Sequence, residues 1–299
     1  MIFNAETQRR KVRREKMICY TLCVKNGLSS RRTRLKNLTR QLMTDEKCKV
    51  IEHRELGSGY RFISFEAPKI AETAEPGQFV HVRVPALEAS ALRRPFSIFN
   101  AEEGRLELLY KTIGRGTAAL NAVKPGDVVS VLGPLGHGFP LKCNGAALLV
   151  GGGFGVAPLY FLARRLIAVG VKPCLFVGGR TKDDLLALDR FEKLGVEVHA
   201  ATNDGSFGTK GLVTDPLDNE LIRIKTAGEK FELFACGPDP MLKAVALRAT
   251  GTGSKGWISM DRHMVCGVGA CYACIQKTVR GNSRCCIEGP VFAAEDLVW

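Results

Sequence analysis

The stretch between residues 266 and 286 constrains this chain more than any other. Met264 to Thr278 reads MVCGVGACYACIQKT, with the spacing Cys266-x4-Cys271-x2-Cys274, and Cys285 and Cys286 follow. Four thiolates are the usual cage of a [2Fe–2S] centre, and C-x4-C-x2-C…C is the plant-type spacing. The intervening glycines let the loop curl so that backbone N–H groups can point at cluster sulfurs. A zinc site is the main alternative, but zinc more often shows paired C-x2-C knuckles, and only one is present. Thiols that hold no metal are the third. Cys266, Cys271 and Cys274 are thus candidate metal ligands, with Cys285 or Cys286 as the fourth.

The rest of the chain bears on that chemistry. No apolar run approaches the ~20 residues of a membrane span. The basic N-terminus lacks an apolar core before a small-residue cleavage site. A cytoplasmic setting with no membrane partner is therefore expected. There thiols stay reduced, and a tight group of them points to metal or redox chemistry rather than disulfides. Apolar content of 45% and charged content of 24% are those of a globular chain. A length of 299 residues allows two ordinary domains or three small ones.

The net charge of +13 is concentrated at one end: residues 1–42 hold 12 Lys/Arg against Glu6 and Glu15, leaving 31 basic and 28 acidic side chains elsewhere. A nucleic-acid or anionic-lipid footprint would have to lie in RRKVRREK and RRTRLKNLTRQ. The favoured reading is a disordered extension over residues 1–43, or an upstream stretch before a start at Met43, because the ordered pattern begins only at Cys48. Nucleic acid is not an expected partner. Cys19 and Cys23 are a lone pair without partners at metal-site spacing. A nucleic-acid-binding protein with a zinc knuckle remains a reading of a different class, and it requires a colourless protein.

From Lys47 to about Leu141, short alternating stretches are separated by turn residues. KVIEHRELGSGYRFISFEAP breaks at Gly57-Ser58-Gly59, a hairpin signature. GQFVHVRVP, RRPFSIFNAEEGRLELLYKT and KPGDVVSVLGPLG repeat the pattern, which implies an antiparallel β-barrel over residues 44–142. At Ala146 the pattern changes to strands alternating with helices. AALLVGGGFGVAPLYFLARRLIAVG is strand, glycine loop and helix; KPCLFVGGR and VEVHAATND are strands; DDLLALDRFEKLG is a helix stopped by Gly195; FELFACGPDPMLKAVALRA is strand, loop and helix. A doubly wound parallel-sheet α/β domain is expected over 143–254. TGTGSKG reads as a joint, with a small C-terminal cluster domain over 255–299.

Three further motifs carry possible chemistry. VGGGFGVAP follows a strand and opens a helix, the setting a dinucleotide pyrophosphate needs, so Gly152, Gly153 and Gly155 are candidate binding residues. It is not a clean Rossmann fingerprint: Pro158 stands where Gly or Ala would, and no acid ends the next strand. A structural turn between strand and helix is the alternative. In LRRPFSIFN, an Arg beside a Pro and a Ser offers a cation and a hydroxyl to a phosphate, and Gly114, Gly116 and Thr117 supply a close-approach turn; a merely solvated arginine is the alternative. In FACGPDPM, Cys236 ends an apolar strand. It is either a buried structural cysteine or a residue near a nicotinamide ring, with Gly237 leaving room.

RPxS, G-x-GT, GGGxGxAP, CGP and C-x4-C-x2-C occur here in that order, which resembles the ferredoxin–NAD(P)H reductase superfamily. Over about residues 44–299 the chain more closely resembles the electron-transfer subunits of class 1B dihydroorotate dehydrogenases. The most specific element is MVCGVGACYACIQKT followed by CCIEGPVF. The resemblance implies Cys286 as the fourth ligand, ahead of Ile287, Glu288 and Gly289, with Cys285 an extra neighbour. It places FAD contacts on Arg94, Pro95, Phe96, Ser97, Leu109, Tyr110, Lys111, Gly116 and Thr117. Phe96 stands where members often carry an aliphatic residue, and Lys111 where they often carry Arg. The basic extension has no counterpart. A related transhydrogenase-type subunit has an aspartate in place of the first cluster cysteine, and Cys266 argues against it.

The resemblance further implies an electron relay with FAD, a [2Fe–2S] cluster and NAD. Electrons would come from FMN on a separate catalytic dihydroorotate dehydrogenase subunit, cross the cluster and FAD, and reduce NAD+ in pyrimidine biosynthesis. The implied assembly is a heterotetramer, two plus two. The alternative is an NAD(P)H-dependent flavin/iron–sulfur reductase feeding an oxygenase or another acceptor, with the same modules and the reverse electron direction.

Overall fold

The structure, a computed structural model, describes residues 43–85 and 92–299. The basic stretch 1–42, with Cys19 and Cys23, lies outside them. Alternating apolar residues build six strands: β1 (Thr44–Gly57), β2 (Tyr60–Glu66), β3 (Phe79–Val82), β4 (Arg94–Glu102), β5 (Arg105–Lys111) and β6 (Val128–Leu135). They close into an antiparallel barrel in the order β1-β2-β5-β4-β3-β6. Positive φ at Gly57, Ser58 and Gly59 turns β1 into β2, as expected, and positive φ at Glu103 and Gly104 turns β4 into β5; such turns match the right-handed twist of paired strands. Ile63, Phe65, Val80, Val82, Ile98 and Leu108 fill the interior. Helix α1 (Pro68–Thr73) has no capping side chain of its own. Buried Glu46 from β1 serves instead, accepting from the Ile70 N–H at 3.1 Å. A second short helix, α2 (Arg115–Leu120), follows β5.

The second half is a seven-stranded sheet in the order β10-β9-β8-β7-β11-β12-β15. Its parallel strands are β7 (Ala146–Gly152), β8 (Pro173–Gly179), β9 (Glu197–Thr202), β10 (Thr209–Lys210), β11 (Phe231–Cys236) and β12 (Lys255–Ser259), and β15 (Val291–Ala293) runs antiparallel to β12. Helices α3 (Ala157–Ala168), α4 (Leu188–Lys193), α5 (Thr214–Ala227) and α6 (Asp239–Gly251) connect them. The strand order reverses beside β7, so the carboxyl ends of β7 and β11 flank the crevice where open α/β sheets bind ligands. The barrel docks on this half through Phe99, stacked on Tyr160 at 4.7 Å. Arg190 lies over both rings and pairs with Glu107 at 2.9 Å.

Two segments differ from expectation. Residues 183–195 are not one helix. Lys182–Asp184 forms a single 3-10 turn, Ala187 takes a left-handed φ of 56°, and α4 starts only at Leu188. Asp184 is drawn aside by partners from the barrel, described below. Gly195 does end the segment, at φ 73°. The presumed joint at TGTGSKG is instead the tight turn from α6 into β12, which pairs with β11 from Glu232↔Lys255 to Cys236↔Ser259. The nucleotide sheet therefore takes two strands, β12 and β15, from the 255–299 stretch. The cysteine segment is an excursion between them, carrying a two-stranded hairpin, β13 (Ile275–Thr278) and β14 (Gly281–Arg284).

Candidate functional site

Three neighbourhoods hold the residues singled out in the sequence. The first is the rim of the barrel. Arg94 is half-buried, and its guanidinium donates to the backbone carbonyls of Leu92 at 2.8 Å and Arg93 at 3.4 Å. No acid pairs with it among the described residues. Its guanidinium also packs where a Cβ on Gly116 would stand, so glycine is needed for α2 to approach it. Thr117 Oγ1 accepts from the N–H groups of Ile113 at 3.0 Å and Gly114 at 3.2 Å, holding that turn. Pro95 and Ser97 are half-buried on β4. Phe96 and Tyr110 turn into the barrel core, their rings 5.4 Å apart, while Leu109 joins the apolar cluster facing the nucleotide half. An unpaired arginine beside a glycine suits a phosphate, so this rim fits a flavin nucleotide.

The second is a cleft of about 880 Å³ between the barrel, the carboxyl ends of β7, β8 and β11, and Asp261–His263. Gly152, Gly153 and Gly155 line one side, and Cys236 and Gly237 line the floor. A side chain at Gly155 would overlap the Cys236 carbonyl. A 3-10 turn, Gly153–Val156, leads into α3 here and has no side-chain cap at Gly152; the N–H groups of such a first turn suit an anion. The volume and the glycine wall fit a dinucleotide. Burial, helped by the charge of Asp261, pushes the Cys236 thiol up to about 12, so it stays neutral.

Across the same cleft, Lys111 Nζ donates to Tyr60 Oη at 3.1 Å, lies 4.2 Å from the centre of that ring and stands 3.6 Å from Asp184. Tyr60 Oη donates to Asp184 at 2.7 Å. The Arg180 N–H donates to Asp184 at 3.2 Å. Burial raises the Asp184 carboxyl, but these donors, with the charges of Lys111 and Arg180, outweigh it and hold it below the ordinary carboxylate range. Burial and Asp184 push the Tyr60 hydroxyl up. Tyr60 and Asp184 stand in stretches read only for their strand and helix pattern, not among the candidate site residues.

The third neighbourhood is the cysteine excursion. Cys274, Cys285 and Cys286 are buried, Cys266 is half-buried and Cys271 is exposed. The Cys285 N–H donates to the Cys274 carbonyl at 2.8 Å, which brings the two cysteine segments side by side. Burial raises the Cys266 thiol, but the N–H groups of Val268, Cys271 and Ala270 and the Cys271 thiol aimed at it outweigh that and bring it down to about 7. Burial pushes Cys286 up to about 12, aided by a hydrogen bond with Cys274 and the charges of Cys274 and Cys266. Cys285 rises to about 12 through burial and the charge of Cys274. Arg284 clamps the loop, donating to the Gly269 carbonyl at 3.1 Å and to Glu288 at 2.6 Å. Thiols gathered under inward N–H groups fit an iron–sulfur centre.

Beside this excursion sits a residue that sequence reasoning missed. His81 of β3 is fully buried, and its ring packs where a side chain on Gly267 would stand, 2.9 Å from that point. Burial, with the charge of Arg93, lowers it to about 4, so the imidazole is neutral.

Family comparisons agree with this geometry. Residues 47–139 match an oxidoreductase FAD-binding domain, 149–246 an oxidoreductase NAD-binding domain, and 261–298 the iron–sulfur cluster binding domain of dihydroorotate dehydrogenase B. The chain is 40% identical over 267 positions to the dihydroorotate dehydrogenase B (NAD(+)) electron transfer subunit of Bacillus cereus (strain B4264), covering 86% of this chain and all of the relative. The chain belongs to the family of dihydroorotate dehydrogenase B electron transfer subunits. Within that family it is an oxidoreductase electron-transfer chain with FAD, NAD and iron–sulfur domains, as the order of motifs implied. Among solved structures, an NADH-dependent reduced ferredoxin–NADP oxidoreductase aligns with TM-score 0.76 and 31% identity, over 86% of this chain and 91% of that one. The ferredoxin reductase of carbazole 1,9a-dioxygenase shares the fold at TM-score 0.59 and 24% identity, over 71% and 67%. No helix among the described residues is long and apolar enough to cross a membrane.

Proposed function

We propose that this chain carries electrons from a catalytic dihydroorotate dehydrogenase subunit bearing FMN, through a [2Fe–2S] centre and FAD, to NAD+, in a two-plus-two heterotetramer of the cytoplasm. The observation that carries this reading is the cysteine excursion, which leaves and rejoins the nucleotide sheet while resting against β3 of the barrel. One electron route can thus pass through all three domains. Cys266, Cys271, Cys274 and Cys286 would hold the cluster. The contact of Cys286 with Cys274 and its reach to Cys266 support it over Cys285 as the fourth ligand. The inward N–H groups at Cys266 offset the negative charge of bound thiolates.

Arg94 would hold a flavin phosphate while Pro95, Ser97, Leu109, Lys111, Gly116 and Thr117 shape the rim. Phe96 and Tyr110 would support it from the barrel side. Gly152, Gly153 and Gly155 let the pyrophosphate approach α3. Cys236 and Gly237 leave a neutral, uncrowded floor for the nicotinamide, and the Lys111–Tyr60–Asp184 network fixes the opposite wall. Bound FAD supplies the exchange between single-electron and hydride transfer. Val265, Val268 and Tyr272 are exposed at 41%, 39% and 63% around Cys271, which supports this face as the docking surface for the catalytic subunit. Co-purification with a cognate catalytic subunit should yield a yellow-brown complex that reduces NAD+ when given dihydroorotate. A complex with flavin and iron but no such activity would refute the reading.

A further inference from the structure

The two ring nitrogens of His81 are the only buried side-chain N or O atoms without a hydrogen-bond partner among the described residues. The side chain is 0% exposed. A strand position flanked by Phe79, Val80 and Val82 could be filled by an aliphatic residue at no such cost. Burying an imidazole without partners is unfavourable, so its retention calls for a group that meets it.

The surroundings say which group. Along β3, Val80 and Val82 face the barrel interior. Phe79 lies on the other face, in the apolar cluster that includes Cys274, Cys285 and Cys286, and its ring centre is 5.6 Å from that of His81. The edge of the imidazole that carries Nε2 packs on Gly267, between Cys266 and Cys271, against space that any larger residue would occupy. Gly267 has φ 69°, so this turn of the loop favours glycine twice over, for its conformation and for the ring. The polar edge of His81 is thus presented to the cysteine loop from the barrel side. The N–H groups at Cys266 approach from within the loop itself.

We propose that His81 is a positioning residue of the relay: its ring N–H is the barrel's hydrogen-bond donor to the sulfur atoms of the iron–sulfur centre held by the 266–286 loop. The inference rests on the cluster assignment above. Donors to cluster sulfur stabilise the more negative reduced form and so raise the reduction potential. His81 accordingly couples the flavin-bearing barrel to the cluster electronically as well as by packing.

The test uses the full chain purified with its cofactors. His81→Phe should keep iron and FAD content yet shift the cluster midpoint potential downward in an EPR-monitored titration, leaving the flavin midpoint in place. His81→Gln, which restores an N–H donor, should recover part of the shift. An unmoved cluster midpoint in an iron-replete His81→Phe protein, or a shift confined to the flavin, would overturn the assignment. If the variants do not fold, the unmutated protein with ring-15N histidine serves instead. Electron–nuclear spectroscopy of its reduced cluster should show an imidazole nitrogen coupling that survives His263→Gln and His137→Gln, and absence of that coupling overturns the assignment. Protein lacking iron altogether would instead sink the cluster reading on which the inference rests.

Discussion

Cys236 and Cys266 have opposite environments. Cys236 ends a buried strand at the floor of the nucleotide cleft, and burial pushes its thiol up to about 12. Cys266 sits in a glycine-rich loop where three N–H groups and the Cys271 thiol converge on its sulfur, outweigh its burial and bring it down to about 7. The cleft keeps its cysteine neutral. The loop favours the thiolate form of its own. Backbone direction makes the difference: a strand spends its N–H groups on its neighbours, while a curled loop turns them inward.

The sharpest way to break the comparison is to remove a thiol from each side of the ligand question. Cys286→Ser should abolish the iron–sulfur absorption while FAD absorption remains, as read by iron and flavin analysis. Cys285→Ala should keep both and cost about 1 kcal/mol for a small buried cavity; the reverse pattern would move the ligand by one position. Alkylation of the metal-free chain, followed by mass spectrometry, sharpens the contrast itself. At pH 7.5 Cys266 should react at least about a hundredfold faster than Cys236, because its thiolate fraction is on the order of ten-thousandfold larger and the lower intrinsic nucleophilicity of the lower-pKa thiolate offsets only part of that. Its rate should climb through pH 7 and level off, while that of Cys236 still rises at pH 10. Equal rates would show that the N–H groups do not tune Cys266. On the flavin rim, Arg94→Ala removes a charge-assisted contact of about 1.5–3 kcal/mol. It should therefore weaken FAD retention roughly ten- to a hundredfold, measured as flavin content after dialysis; full occupancy would dismiss Arg94 as a ligand.

Local pattern decided what could be read in advance. The β1–β2 hairpin, the glycine loop after β7 and the cysteine spacing each depend on neighbours a few residues apart, and all stand where the sequence put them. The break at Asp184 was illegible because its cause, Tyr60, is 124 positions away. β12 was illegible because Gly253, Ser254 and Gly256 look like a linker, although a short strand inside a sheet needs only its hydrogen bonds and one apolar face. His81 was hidden by period two: Val80 and Val82 mark the core face, which assigns Phe79 and His81 to solvent. The cysteine excursion covers that outer face, and no periodicity announces a contact across so much chain. Phe96 and Tyr110 show the converse limit, since a motif names residues but not which way each side chain turns.

The smallest expected effect tests whether the cleft is held by charge as the loop is held by N–H groups. Asp184 accepts from Tyr60 and from the Arg180 N–H and faces Lys111. Its carboxyl therefore lies below its ordinary value when folded. A depressed carboxyl stabilises the fold fully above the unfolded value, about 3.9, and loses that contribution as pH falls through the lower folded one. Asp184→Asn can still accept from Tyr60 but carries no charge, so it should cost about 1 kcal/mol at pH 7, with solvent screening keeping the figure small. Melting curves of the two proteins should converge as the pH is lowered from 5 toward 2. Curves that stay parallel would mean that the wall between barrel and nucleotide sheet is held by the Phe99–Tyr160 stack and the Arg190–Glu107 pair. Asp184 would then orient Lys111 without stabilising the interface.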